Sequence, residues 1–166
     1  VYNHPSLVAG SNELAFALIA LDASDVEIPT DAKWNREVII DELLEFQNTS
    51  NGGFGLMDNK STSVDMTAMI LQALANYQNN TEVKDATDKA LDFLRKQQQD
   101  DFGFGTAESN AQVLLALSLL KIDPISADGG FGTRNFNIIT NLQEYQKSDG
   151  GFAHIAGSAS SVEMST

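Results

Sequence analysis

Apolar positions along the chain fall into two alternating kinds of block. One kind is apolar on nearly every side: "NELAFALIAL" (12–21), "DMTAMILQAL" (65–74) and "ESNAQVLLAL" (108–117). The other spaces its apolar residues at i, i+3, i+4 and i+7: "VIIDELLEFQ" (38–47), "ATDKALDFLRKQ" (86–97) and "FNIITNLQEYQ" (136–146). Val38, Ile39, Leu43 and Phe46 form one such stripe; Ala90, Leu91, Phe93 and Leu94 belong to another. That spacing predicts amphipathic helices with one wet face. The first kind predicts helices buried on most sides. Inner-layer helices are therefore expected over 12–21, 65–77 and 108–120, and outer-layer helices over 35–47, 82–98 and 134–146. No segment alternates for more than a few residues, so the class is all-α.

Local signals mark the ends of these blocks. Thr62 and Asp65 fit a capping box ahead of the second buried helix. "TDAKWNRE" (30–37) and "NNTEVKDA" (79–86) offer cap residues and early acids for the amphipathic ones. Proline in "EIPT" (27–30) and "KIDP" (121–124) stops helices.

The blocks repeat in register. Asn12, Asp65, Glu108 and Glu163 coincide, as do Ala15, Ala68 and Ala111, and "EMST" (163–166) begins a fourth copy. A spacing of about 50 residues suits one helical hairpin per repeat. A glycine-aromatic word sits where each amphipathic helix ends and the next buried helix is about to begin: "QNTSNGGFG" (47–55), "QQDDFGFG" (98–105) and "QKSDGGFAH" (146–154). Glycine takes left-handed φ without a steric cost, which suits a helix C-terminus. Phe54, Phe104 and Phe152 are then expected to fold back as plugs over helix ends, with Gly53 and Gly151 as candidates for positive φ. A further copy, "ADGGFG" (127–132), places Phe131 out of phase, before the third amphipathic helix. Phe102 replaces the first glycine of its word, so that corner is expected to be less regular.

Composition narrows the function. The chain has 166 residues, 42% hydrophobic and 20% charged, as in a globular protein with a real core. Its net charge of −13, from 23 acids and 10 bases, disfavours nucleic acid and anionic lipid. No apolar run approaches the ~20 residues that span a bilayer. "VYNHPSLVAG" at the start shows no basic stretch followed by an apolar one, so no signal peptide is expected within these residues. The absence of cysteine removes disulfides, zinc thiolates, thiol nucleophiles and thioesters.

The words "LRKQQQDDFGFGTAESNAQVLLALSLLKIDP" and "NLQEYQKSDGGFAH" resemble the repeat of the terpenoid cyclase and protein prenyltransferase α/α-toroid superfamily, the prenyltransferase and squalene oxidase repeat. "ELAFALIALDASDVEIP", "SVDMTAMILQALANY" and "SVEMST" are most similar to bacterial surface proteins related to the cobalamin carriers intrinsic factor and transcobalamin. The resemblance implies helical hairpins in two concentric rings around a cavity. Residues 1–166 then form one partial toroid domain of about three hairpins, truncated in the next. It also implies a secreted or cell-surface protein, with the remainder of the toroid or a second copy covering sticky ends.

The enzymatic branches of that superfamily depend on residues that differ here. No D-x-D-D string is present for a protonating acid; "LDASD" (21–25) has its acids spaced as a turn. "QDDFGF" departs from D-D-x-x-D, and His4 and His154 are the only histidines. No catalytic residue, metal or cofactor is therefore expected. What remains is a polar set at the inner-helix starts: Asp65, Thr67, Glu108, Asn110, Gln112 and Glu163. They serve either as helix caps and dipole partners or as hydrogen-bonding groups around a ligand. The favoured reading is a non-catalytic binding or scaffold module for a small molecule such as a corrinoid, an isoprenoid or a glycan. Two alternatives stay open: a cyclase or prenyltransferase with its acid elsewhere, and a carbohydrate-active α/α enzyme with paired carboxylates. Trp34 and His154 are expected to pack and to brace a loop.

Overall fold

In the computed structural model, residues 10–24 and 27–161 are described, and six α-helices appear among them. They are α1 (Ser11–Asp22), α2 (Arg36–Leu44), α3 (Val64–Leu74), α4 (Thr81–Gln97), α5 (Ala107–Leu119) and α6 (Ile138–Gln143). A single 3-10 turn, Ala75–Tyr77, extends α3. Each expected helix is present, and side-chain caps set the starts of all but α1, which opens at Gly10 without one. Asn35 accepts from Val38 N–H at 2.9 Å, Asn80 from Glu82 N–H at 2.9 Å, and Thr106 from Ser109 N–H at 3.1 Å. The cap of α3 is Ser63, which accepts from Met66 N–H at 3.2 Å, and not Thr62. Thr62 instead bridges Gly55 and accepts from Asn51 Nδ2. Helix α6 begins four residues later than the apolar pattern implied. Asn137 and Thr140 close a capping box there, and Thr133 and Phe136 form a turn ahead of it.

The chain falls into two compact units, Val1–Phe93 and Leu94–Thr166. In the first, α1 packs on both α2 and α3; in the second, α5 packs on α6. Helix α3 is buried on nearly every face, with Met66, Ala68, Ile70, Leu71, Ala73 and Leu74 in the core. Helix α4 is amphipathic, burying Val83, Ala86, Ala90, Leu91, Phe93 and Leu94 while its acids and lysines face water. The other two apolar helices are less enclosed than their composition predicts. Phe16 on α1 is 57% exposed, and Leu115 and Leu119 on α5 are 49% and 47% exposed. No described element of their own unit covers those stripes. Among the described residues, strand content is limited to a ribbon of β1 (Phe152–Ala153) and β2 (Ser160–Ser161), paired antiparallel.

The corners explain the repeated glycine-aromatic words. Asn48 N–H donates to Gly53 O at 2.8 Å and Gly52 N–H returns to Asn48 O at 2.8 Å. Gln99 with Gly103 and Phe102, and Lys147 with Gly151 and Gly150, repeat the same pair of bonds. In each corner an Asx side chain two residues back accepts at 2.9 Å: Asn51 from Gly53 N–H, Asp101 from Gly103 N–H and Asp149 from Gly151 N–H. The left-handed residue is the first of each pair, with φ 83° at Gly52, 65° at Phe102 and 88° at Gly150. Gly53 is needed for a different reason: a Cβ there would lie 2.8 Å from the Phe93 ring. The middle corner is therefore as regular as the others. Phe102 holds a conformation that disfavours a side chain, while its ring stacks on Phe136 at 6.3 Å.

The plug residues are buried to different degrees. Phe54 and Phe131 have no exposed surface, Phe104 retains 8%, and Phe152 is half-buried. Glutamine clamps hold two of these corners. Gln47 Nε2 donates to Gly52 O and to Ala86 O in α4, at 2.9 and 2.8 Å. Gln98 Nε2 donates to Phe102 O and Phe131 O, at 2.9 and 3.0 Å. At the far end of α5, Lys121 takes φ 59° and Ile122 N–H reaches back to Leu117 O, so the helix ends before Pro124 arrives.

Candidate functional site

The polar set at the helix starts divides sharply by role. Thr67 is fully buried in α3; its Oγ1 accepts from Phe54 N–H at 2.9 Å and donates to Ser63 O at 2.7 Å. Asn110, the matching position in α5, is also fully buried. Its Oδ1 accepts from Phe104 N–H at 2.9 Å and its Nδ2 donates to Asn141 Oδ1 at 2.9 Å. Asn141 Nδ2 in turn reaches Asp101 O at 3.3 Å. Tyr145 is buried alongside: desolvation raises its pKa and the Asp101 charge adds, with a hydrogen bond to Asn110 working the other way. These two polar positions thus fasten a corner to its helix. Each pins the backbone of the plug phenylalanine.

The remaining members sit differently. Asp65 lies in the first turn of α3 and is exposed to solvent, where it favours the helix dipole. Gln112 is half-buried on α5. Glu163 lies outside the described residues, as does the start of the fourth copy. Glu108 is half-buried, and its Oε1 accepts from His154 Nδ1 at 2.7 Å. The imidazole side chain is 55% exposed, so this contact adds little to stability. The backbone brace is firmer: Ala107 N–H donates to His154 O at 3.2 Å. Trp34 packs as expected, 5% exposed, with Lys33 Nζ 5.4 Å from its ring centre.

Within the second unit, a pocket of about 160 Å³ opens beside this pair. It is lined by Ala107, Glu108 and Ala111 of α5, Leu142 of α6 and the plug Phe152. Glu108 Oε2 has almost no accessible surface and no hydrogen-bond partner, alone in that respect among the described side-chain atoms. The walls are apolar except for this carboxylate. The arrangement can hold a small apolar group by shape.

The first unit contains an ion cluster that periodicity did not reveal. Asp22 Oδ1 accepts from Tyr77 OH at 2.6 Å and from Arg36 Nε at 2.9 Å, and Oδ2 accepts from Asn76 Nδ2 at 3.2 Å. A second Arg36 nitrogen donates to Leu21 O. The cluster ties the end of α1 to the start of α2 and to the turn after α3. Desolvation pushes the Asp22 pKa up, but the bonds from Tyr77, Arg36 and Asn76 outweigh it and hold it below the usual carboxylate value. Burial, and then Asp22, raises the Tyr77 phenol above its usual range.

The signs give a pH window. A depressed folded pKa for Asp22 stabilises the fold above about pH 4, and the contribution fades as pH falls below that. A raised pKa for Tyr77 stabilises below about pH 10 and fades as pH rises further. Asp22→Asn is expected to lower stability by about 1–2 kcal/mol near pH 7, with the gap from the parent narrowing towards pH 3. Urea unfolding at pH 3 and 7 checks it; a gap that stays constant would detach the cluster from stability.

The family model described as the prenyltransferase alpha-alpha toroid domain matches residues 9–164 of the chain. No curated protein matches it.

Proposed function

The chain belongs to the prenyltransferase alpha-alpha toroid domain family, and from that premise we propose that it is a non-catalytic ligand-binding or scaffold module of an exported bacterial surface protein. Its ligand in this reading is a small molecule of corrinoid type. One observation carries the proposal. The regular buried polar positions, Thr67 and Asn110, have their hydrogen-bonding capacity taken up by the corners they hold. Glu108 lines a small pocket with otherwise apolar walls, which suits seating one group of a ligand. The cyclase and prenyltransferase strings of this superfamily do not occur in the sequence, which favours binding over turnover. The exposed stripes at Phe16 and at Leu115 with Leu119 favour further hairpins or a second copy as covering partners.

The test is a titration with cobalamin, cobinamide and a glycan panel, followed by incubation with squalene and prenyl diphosphates. The expected result is saturable corrinoid binding, weakened ten-fold or more by Glu108→Ala, with no isoprenoid product. Binding untouched by both Glu108→Ala and Asp65→Ala would remove the site assignment. Product from an isoprenoid would overturn the non-catalytic reading.

A further inference from the structure

The three corners differ at one chemically active point. The side chain that accepts from the N–H of Gly53, Gly103 or Gly151 is Asn51 in the first corner, but Asp101 and Asp149 in the others. Asn51 is also the one asparagine in the sequence that is followed by glycine. Glycine has no Cβ to hinder its backbone nitrogen, so an Asn-Gly pair can close on itself. Base takes the Gly52 N–H proton, the nitrogen bonds to Asn51 Cγ, and the Cγ–Nδ2 bond breaks. Nδ2 takes a proton from water and leaves as ammonia. Water then opens the cyclic imide at either carbonyl. Cleavage of the bond from nitrogen to Cγ gives aspartate; cleavage of the bond to the backbone carbonyl gives isoaspartate. The net reaction takes in water and releases ammonia, with no change of oxidation state.

The folded corner holds the reacting atoms apart. Gly52 N–H donates to Asn48 O at 2.8 Å, and Gly52 O accepts from Gln47 Nε2 at 2.9 Å. Gly52 is buried against α4, where a Cβ would lie 2.5 Å from Lys89 O. The Asn51 carboxamide is fixed at both ends, by Gly53 N–H at 2.9 Å and by Thr62 Oγ1 at 3.1 Å. Ring closure requires Gly52 N–H to leave Asn48 and the carboxamide to leave Gly53. We propose that Asn51 is a self-modification site gated by this corner, converting to aspartate and isoaspartate when the corner opens. The two products have opposite consequences. Aspartate keeps an acceptor for Gly53 N–H, as Asp101 and Asp149 do in their corners, and the Thr62 hydroxyl can turn to donate to it. Isoaspartate carries the main chain through Cγ and adds a methylene between Asn48 and Gly52. The paired bonds there lose their register, and Phe54 N–H loses its alignment with Thr67.

The test incubates the whole chain at mildly alkaline pH, folded in buffer and unfolded in guanidinium chloride. Peptide mass spectrometry with electron-transfer fragmentation then separates Asn, Asp and isoAsp at residue 51. Conversion is expected to be fast in the unfolded chain and slow in the folded one. Gln47→Leu removes a bond to the reacting peptide and should speed folded-state conversion about five- to ten-fold; Thr67→Val, which frees the corner from α3, should act in the same direction. Asn51→Asp should melt near the parent midpoint. The isoaspartate fraction, separated by ion exchange, should melt lower and show faster exchange of the Phe54 amide. Equal rates in the folded and unfolded parent would overturn the gating. So would folded variants at Gln47 and Thr67 that both convert no faster than the parent. An unfolded chain in which Asn51 converts no faster than Asn48 or Asn59 would overturn the site itself.

Discussion

Phe54→Ala is expected to destabilise the protein by about 3–5 kcal/mol, the range for emptying a fully buried aromatic site. The phenyl ring has no exposed surface. The surroundings have little freedom to collapse into the space it would leave. The backbone before the ring is held by Gln47 and by the Asn51 side chain, and the backbone N–H of Phe54 is pinned by Thr67. Gly53 already lies so close to Phe93 that a Cβ would overlap it. Phe152→Ala occupies the matching position but removes a half-buried ring, so its cost should be well below that of Phe54→Ala. Urea unfolding of both variants checks the pair. Equal losses would show that plug burial is not what holds the corners.

Asn110→Leu should be nearly as damaging, at about 3 kcal/mol, although leucine is close to asparagine in size. Two buried groups lose their partner at once: the N–H of Phe104 and Oδ1 of Asn141. Leaving such groups unsatisfied costs about 1–3 kcal/mol each. A relay that continues through Asn141 to Asp101 O is loosened with them. Thr67→Val makes the contrast, since it leaves a single donor, Phe54 N–H, without its acceptor and keeps the packing. It should cost about 1–3 kcal/mol. Thermal unfolding of the two variants checks the order. An Asn110→Leu protein as stable as its parent would show that the relay is ornamental.

The helices were legible because burial writes its period directly into the apolar positions. Their ends were legible where one side chain decides them, as at Asn35 and Asn80. Ser63 and Thr62 are chemically alike and adjacent, so only the folded backbone distinguishes the cap from the bridge. The corners were visible as words, yet their working parts were not. Gln47 and Gln98 end each helix in an unremarkable way, and their second acceptors, Ala86 O and Phe131 O, are 39 and 33 residues along the chain. The aligned polar positions were recognised from register alone. Their role depends on what folds back onto them: Phe54 meets Thr67 across 13 residues, and Phe104 meets Asn110 across 6. Glu108 looked like its neighbours in the set, but its contact is with His154, 46 residues away. The Asp22 cluster gave no periodic signal, because it joins the end of one helix to residues 14 and 55 positions further on.

The central claim is that the repeated polar positions are framework, each fastening one corner to one helix. Amide hydrogen exchange at Phe54 and Phe104, read by NMR, tests it most directly. Both amides are predicted to exchange as slowly as the core amides of α3 and α5. Thr67→Val should speed Phe54 selectively and Asn110→Leu should speed Phe104 selectively, each beyond the change at helix amides of the same variant. Exchange of both amides at exposed-loop rates in the parent protein would contradict the claim.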